Sequence, residues 1–295
     1  MKIVRAKTAG FCMGVSLALR QLDAALKTHE HAGALQRGTR LATLGPVIHN
    51  PRVIAEYAEK GVVCLNDASQ ARHGDVVLVR AHGVPREVEK DLLERGATVI
   101  DATCPKVKKA QLAIAAERAK NGGTLLLYGE VDHPEVKGLV SYADGDARVF
   151  LTCAEFEAVT LDPGREYFLA AQTTQDILGF EAICARAAER LGHDVPMLRT
   201  ICDATRKRQA EVLELAREVA LFVVVGGSNS GNTRRLAEVA EGQGIPALRV
   251  EDAGDLDPAS FRGVAAVGLT AGASTPAEHI DAVETWLENL GASPA

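Results

Sequence analysis

The sequence contains no Cys-x-x-Cys pair, no unbroken apolar run of about 18 residues, no surplus of basic side chains, and few aromatic ones at 4%. The missing cysteine pair removes the usual spacing of a structural zinc site. The missing apolar run removes a membrane-spanning helix, and the start Met1-Lys2-Ile3-Val4-Arg5 has no signal core because Lys7, Thr8 and Gly10 follow at once. A net charge of −6, from 33 Lys and Arg against 39 Asp and Glu, gives no broad attraction for nucleic acid or an anionic membrane. Six cysteines in 295 residues, with no small secreted scaffold around them, argue against a disulfide framework. What remains is 47% hydrophobic and 24% charged, large enough to bury a sizeable core, and expected in the cytoplasm.

Apolar β-branched runs alternate with Ala/Leu-rich stretches, which predicts an α/β fold. Strands are expected at 2–6, 41–44, 75–80, 97–101, 124–128, 168–172, 221–226 and 265–269, and helices at 15–26, 105–120, 206–219, 234–241 and 276–290. Cys12, Cys104 and Cys202 each stand just before a helix and cut the chain into similar thirds. Each third therefore reads as one small α/β domain: 1–101 with Cys12, His49 and His82; 102–200 with Cys104, His133, Glu135 and Thr173; 201–295 with Cys202, Ser230, Asn232 and Ser274.

A thiolate at a helix N-terminus is stabilised by the dipole and makes a competent soft-metal ligand. Three such thiolates could hold a four-iron four-sulfur cluster, one per chain, with one iron lacking a protein thiolate. Cys64, Cys153 and Cys184 sit among apolar or helical residues and read as packing. His49, His82 and His133 end strand-like runs beside Gly, Asn or Pro, where loops carry function. After the apolar run 221–225, Gly226-Gly227-Ser228-Asn229-Ser230-Gly231-Asn232-Thr233 offers hydroxyls, amides and helix N–H groups to phosphate without a Walker lysine. Thr270-Ala271-Gly272-Ala273-Ser274 repeats that arrangement, and Thr275-Pro276-Ala277-Glu278 reads as a capping box. Glu135 is the carboxyl expected to donate a proton, since partial burial beside a diphosphate would hold its proton near neutrality, and the Thr173 hydroxyl could orient it.

Together these motifs resemble the 4-hydroxy-3-methylbut-2-enyl diphosphate reductase (IspH/LytB) family almost end to end. The residues that carry the likeness are Gly10-Phe11-Cys12, Gly45-Pro46-Val47-Ile48-His49-Asn50, Ala81-His82-Gly83-Val84, Asp101-Ala102-Thr103-Cys104-Pro105, His133-Pro134-Glu135-Val136, Gln172-Thr173-Thr174, Ile201-Cys202, Asn229-Ser230 with Asn232, and 270–274. The resemblance implies a trefoil of three α/β domains around a central cavity, with Cys12, Cys104 and Cys202 as cluster ligands. It implies His49, His82, His133, Thr173, Ser230, Gly231, Asn232 and Ser274 around the substrate, and Glu135, Thr173 and His133 in proton transfer. The implied reaction is reductive dehydroxylation of an allylic diphosphate to isopentenyl and dimethylallyl diphosphates, the last step of the non-mevalonate isoprenoid pathway. Ferredoxin or flavodoxin would supply electrons to a chain expected to be a monomer, with no nucleic-acid or membrane partner. Gly231 departs from the family, which usually has a small residue, often serine, there. Its backbone N–H remains, so modestly altered affinity is expected. Two other classes fit parts of the pattern: an iron-sulfur redox sensor that binds a phosphorylated ligand, and a cysteine-dependent phosphate-ester hydrolase in which iron is irrelevant.

Overall fold

The buried, β-branched runs of the sequence form the middles of three wholly parallel sheets in a computed structural model that describes residues 1–31, 38–48 and 50–292. The first sheet has the order β3-β2-β4-β5, with β2 (Leu41–Leu44), β3 (Val63–Leu65), β4 (Val76–Val79) and β5 (Thr98–Asp101). The second has the order β7-β6-β8, with β6 (Thr124–Tyr128), β7 (Ala147–Phe150) and β8 (Tyr167–Ala171). The third has the order β1-β11-β9-β10, with β9 (Leu221–Val225), β10 (Ala247–Val250), β11 (Ala266–Ala271) and β1 (Lys2–Arg5).

One connection pattern recurs in all three. A fully buried strand (β2, β6 or β9) runs through a helix, α2 (Pro51–Glu59), α5 (Pro134–Ser141) or α9 (Gly231–Glu241), to a short edge strand. The chain then returns to the other side of the central strand as β4, β8 or β11. Each sheet thus has a topological switch point where loops part in opposite directions, the crevice in which open α/β sheets hold ligands. Outside β4 and β11 lie β5 and β1, followed by Cys104 and Cys12. Beside β8 the equivalent place is filled by 196–201: Leu169 N–H donates to the Pro196 carbonyl, Leu198 N–H to the Leu169 carbonyl, and Ala171 N–H to the Thr200 hydroxyl. Cys202 follows that segment.

Two sheets have apolar clusters on both faces, as parallel sheets require. Phe168, Leu125 and Leu127 pack with Ile114 and Leu139 on one side of β6, and Leu126, Phe150 and Phe156 pack with Phe180 on the other. In the third sheet Val223, Val267 and Leu287 face one side and Phe222, Val224 and Leu236 the other. The helices are α1 (Met13–His31), α3 (Arg86–Glu94), α4 (Pro105–Asn121), α6 (Cys153–Ala158), α7 (Ile177–Leu191), α8 (Asp203–Leu215) and α10 (Ala277–Ala292), besides those named above.

Contacts divide the chain into two units: Met1–Val15, His49–Arg52 and Asp203–Ala295 in one, Ser16–Ile48 and Val53–Cys202 in the other. The first strand pairs with β11, Lys2 opposite Ala266 through Arg5 opposite Leu269, so it is part of the sheet built by the end of the chain rather than of the sheet within 1–101. The expected strands are present with ends shifted by a residue or two, but β3, β7 and β10 were not anticipated. All three are sheet edges with exposed or half-exposed positions, and an arginine, Arg148 or Arg249, breaks the apolar run of β7 and β10.

Candidate active site

In the larger unit, contacts link Cys104 to Cys202 through His82, His133, Glu135 and Thr173. Cys104 N–H donates to the Ala81 carbonyl at 2.9 Å, joining the start of α4 to the turn that carries His82. The His82 and His133 rings meet edge to face, centroids 5.4 Å apart. His133 is the N-cap of α5, and its Nδ1 accepts the Glu135 N–H at 3.1 Å. In a neutral ring that leaves the hydrogen on Nε2, as a donor. Glu135 accepts two bonds from Thr173, from N–H at 2.6 Å and from Oγ1 at 2.9 Å. Cys202 N–H donates to the Thr173 carbonyl at 3.0 Å.

Glu135 does not cap its helix. It turns inward from the first turn of α5 across the switch point between β6 and β8, where it is 1% exposed. Burial pushes its carboxyl from 4.5 up to about 7, although the two Thr173 hydrogen bonds pull the other way. Gly129, at the end of β6, makes the approach possible, because a Cβ there would lie 2.8 Å from Val136 Cγ2 and 3.0 Å from Gln172 Cβ. Gln172 is fully buried, and its Oε1 accepts the Glu130 N–H at 3.0 Å while Nε2 reaches Thr174 Oγ1 at 3.1 Å. Gln172 stands in the Gln172-Thr173-Thr174 motif of the family resemblance, but no role was read for it from the sequence; its signal is a polar run placed directly after the buried strand β8.

In the other unit, the loops after β9 and β11 lie at that sheet's switch point. Ser230 caps α9, its Oγ accepting the Thr233 N–H at 3.2 Å, which leaves the hydroxyl proton for a ligand. Gly231 and Asn232 form the first turn, and the buried Asn232 Nδ2 has no hydrogen-bond partner. An orphaned amide donor at a helix N-terminus suits an anionic oxygen. Cys12 N–H donates to the Ala273 carbonyl at 3.1 Å, beside Ser274, whose own carbonyl accepts from Asn50 Nδ2 at 3.5 Å. The Thr275 hydroxyl donates to the Val225 carbonyl at 2.9 Å, tying the loop to β9. A cavity beside β10 is lined by Glu251, Asp252, Asp255 and Asp257, a wall of the wrong sign for diphosphate. His49 lies outside the described residues.

Cys12, Cys104 and Cys202 are half-buried thiols outside any disulfide, each directly before or capping a helix. Cys12 Sγ accepts the Val15 N–H at 3.5 Å in the first turn of α1, and Cys104 caps α4 without a side-chain capping bond. Thiol donors in that setting fit iron-sulfur ligation. Among the described residues, no group of three or more His, Cys, Asp or Glu is drawn together as a metal ion would require. Cys64 and Cys153 are exposed, not packed: Cys64 rides on the edge strand β3 and Cys153 opens the short α6. Cys184 is packed beside the Phe156 and Phe180 cluster, and burial pushes its thiol up to about 11. No described helix is long and apolar enough to cross a membrane.

The model of the LytB protein family matches residues 3–288. The chain is 55% identical over 291 residues to the 4-hydroxy-3-methylbut-2-enyl diphosphate reductase of Nitratidesulfovibrio vulgaris strain DP4, covering 98% of this chain and all of that one. It is 40% identical over 283 residues to the reductase of the same name from Pelobacter propionicus, covering 96% of each. Its fold matches that of the E-1-hydroxy-2-methyl-but-2-enyl-4-diphosphate reductase of Plasmodium falciparum with a TM-score of 0.90 at 23% identity, over 99% of this chain and 89% of that one. A structure of (E)-4-hydroxy-3-methyl-but-2-enyl diphosphate reductase, the terminal enzyme of the non-mevalonate pathway, matches at 35% identity and a TM-score of 0.67, over 98% of this chain and 100% of that one.

Proposed function

This chain belongs to the LytB family, and from that premise we infer that it is a reductase of 4-hydroxy-3-methylbut-2-enyl diphosphate, forming isopentenyl and dimethylallyl diphosphates at the end of the non-mevalonate pathway. The reaction takes up two electrons and two protons, breaks the allylic C–O bond and releases the oxygen as water. The observation that carries the reading is the Glu135 carboxyl, buried, held by Thr173 and poised near pH 7.

Hydroxide is a poor leaving group, so an acid must deliver a proton as the C–O bond breaks. Glu135 keeps its proton near neutrality because burial disfavours the carboxylate. The Thr173 N–H and hydroxyl fix its orientation, and the hydroxyl can relay a proton to a bound alcohol. The diphosphate would be held by donors: His82, His133 through Nε2, His49, Ser230, the Gly231 N–H, Asn232 and Ser274. A four-iron four-sulfur cluster held by Cys12, Cys104 and Cys202 would supply the electrons one at a time and polarise the departing oxygen. A ferredoxin or flavodoxin would reduce it, in the cytoplasm, with the chain acting as a monomer.

The experiment is anaerobic. The chain is reconstituted with iron and sulfide, given reduced methyl viologen, and dye oxidation is followed on adding substrate. The expected result is substrate-dependent oxidation yielding both five-carbon diphosphates, lost in Cys104→Ser. A full iron-sulfur complement without turnover would instead favour a sensor, and a chain that binds no iron would overturn the cluster assignment.

A further inference from the structure

The loop that delivers Cys12 is gripped from one side by two residues of a single helix. On α8, Glu211 accepts from the Lys7 N–H at 2.7 Å, from the Thr8 N–H at 2.9 Å and from the Thr8 hydroxyl. One turn earlier Arg208, 5% exposed, donates through Nη2 to the Gly10 carbonyl at 2.7 Å and through Nη1 to the Ala204 carbonyl of its own helix at 3.3 Å. Residues three apart on a helix project from the same face, so the two side chains close on 7–10 together. The grip is directional, because Glu211 takes N–H groups at the start of the loop and Arg208 takes the Gly10 carbonyl, two residues before Cys12.

The loop needs such external support. Gly10 has φ +105°, a conformation that other residues rarely adopt, and no helix or sheet ladder supplies partners for 7–10 once β1 has ended. Burial alone would push Glu211 up, but the hydrogen bonds from Thr8 and Lys7 outweigh it and hold the carboxyl below its ordinary range, so the charge at its end of the clamp is kept at neutral pH. A charge-assisted bond from a buried guanidinium to a carbonyl is stronger and more sharply aimed than a neutral one. Outer residues that fix a ligand's orientation matter to metal affinity nearly as much as the ligands themselves.

We propose that Arg208 and Glu211 are positioning residues for the iron-sulfur cluster: they fix the 7–10 loop so that the Cys12 thiolate is presented in the ligating position. The inference rests on Cys12 being a cluster ligand. The structural half of it, that the clamp orders the loop, is testable whether or not a cluster is bound.

The full-length chain is made as Glu211→Gln, Arg208→Met and Arg208→Lys, each with and without anaerobic reconstitution. Two quantities are read: amide hydrogen exchange across 6–14, and the rate at which a chelator bleaches the visible absorbance of the reconstituted protein. Glu211→Gln turns a donor amide toward the loop's N–H groups, and Arg208→Met keeps bulk but loses the donor. Both should speed exchange at Lys7 and Thr8 and raise the bleaching rate about tenfold or more, with Arg208→Lys intermediate in both. If Arg208→Met does not fold, the other two variants decide the question. Unchanged exchange, or faster exchange with an unchanged bleaching rate, overturns the proposal. An unaltered chain that binds no iron overturns the cluster reading and with it the role of the clamp, even where exchange responds.

Discussion

Thr173 serves two partners at once: its N–H and hydroxyl both point at Glu135, at 2.6 and 2.9 Å, while its carbonyl accepts the Cys202 N–H at 3.0 Å. The group read as the proton donor and one of the proposed cluster ligands are therefore set by one residue in the loop after β8. Movement of that loop would change both together.

Glu135→Gln is expected to abolish reduction while leaving bound iron unchanged, read as turnover and iron content on the same sample. The substitution also has a stability signature. A carboxyl near 7 in the folded chain and 4.5 when exposed contributes stability that is fully present below pH 4.5 and is lost as pH rises through 7. Glutamine has no charge to bury. Denaturant unfolding should place the variant level with the parent or below it under acid conditions and up to about 3 kcal/mol above it near pH 8; a difference that does not vary with pH would contradict the assigned burial cost.

Thr173→Val removes a hydroxyl that stabilises the carboxylate. The acid that governs turnover should then titrate at higher pH, and the rate should fall roughly tenfold from lost orientation. The pH–rate profile measures both, and an unmoved alkaline limb, where the rate falls as the acid loses its proton, would detach Thr173 from Glu135 function.

Cys104→Ser should lose most bound iron, whereas Cys64→Ser and Cys153→Ser, both exposed, one on the edge strand β3 and the other at the start of the short α6, should bind as much as the parent. Iron and acid-labile sulfide per chain decide the matter.

Asn232→Leu removes the buried amide that lacks a partner. Substrate should bind about tenfold more weakly, and because an unsatisfied buried group is also removed, the free chain should melt no lower than the parent. A loss of thermal stability without a change in affinity would make Asn232 structural.

Gly129→Ala places a methyl 2.8 Å from Val136 Cγ2. The loops after β6 and β8 must then part, costing about 1–3 kcal/mol and weakening the Thr173 hold on Glu135. Lower thermal stability together with lower turnover is expected.

Much of this arrangement was legible because the chemistry sits where buried strands give way to helices, and those boundaries are marked locally by Gly, Pro and the end of an apolar run. The edge strands β3, β7 and β10 were not: an arginine, Arg148 or Arg249, interrupts the apolar residues of β7 and β10, and β3 is three residues long. Cys64 and Cys153 misled for a related reason: apolar neighbours in sequence say little about burial at a sheet edge or in a one-turn helix. The contact between Glu135 and Thr173 spans 38 positions, and only residue type and the family resemblance suggested it. The clamp of α8 on 7–10 spans about two hundred positions, and no periodicity encodes it.

The pairing of β1 with β11 sets an order of events during synthesis. Residues 2–5 leave the ribosome long before their partners at 266–269 are made. Until then the earliest thiol of the chain is carried on an unpaired strand, while the sheets between have already been able to close. Cys12 is thus the first of the three proposed ligands to be made, yet the strand before it pairs only once β11 exists, so a cluster on these three thiols would wait for that pairing.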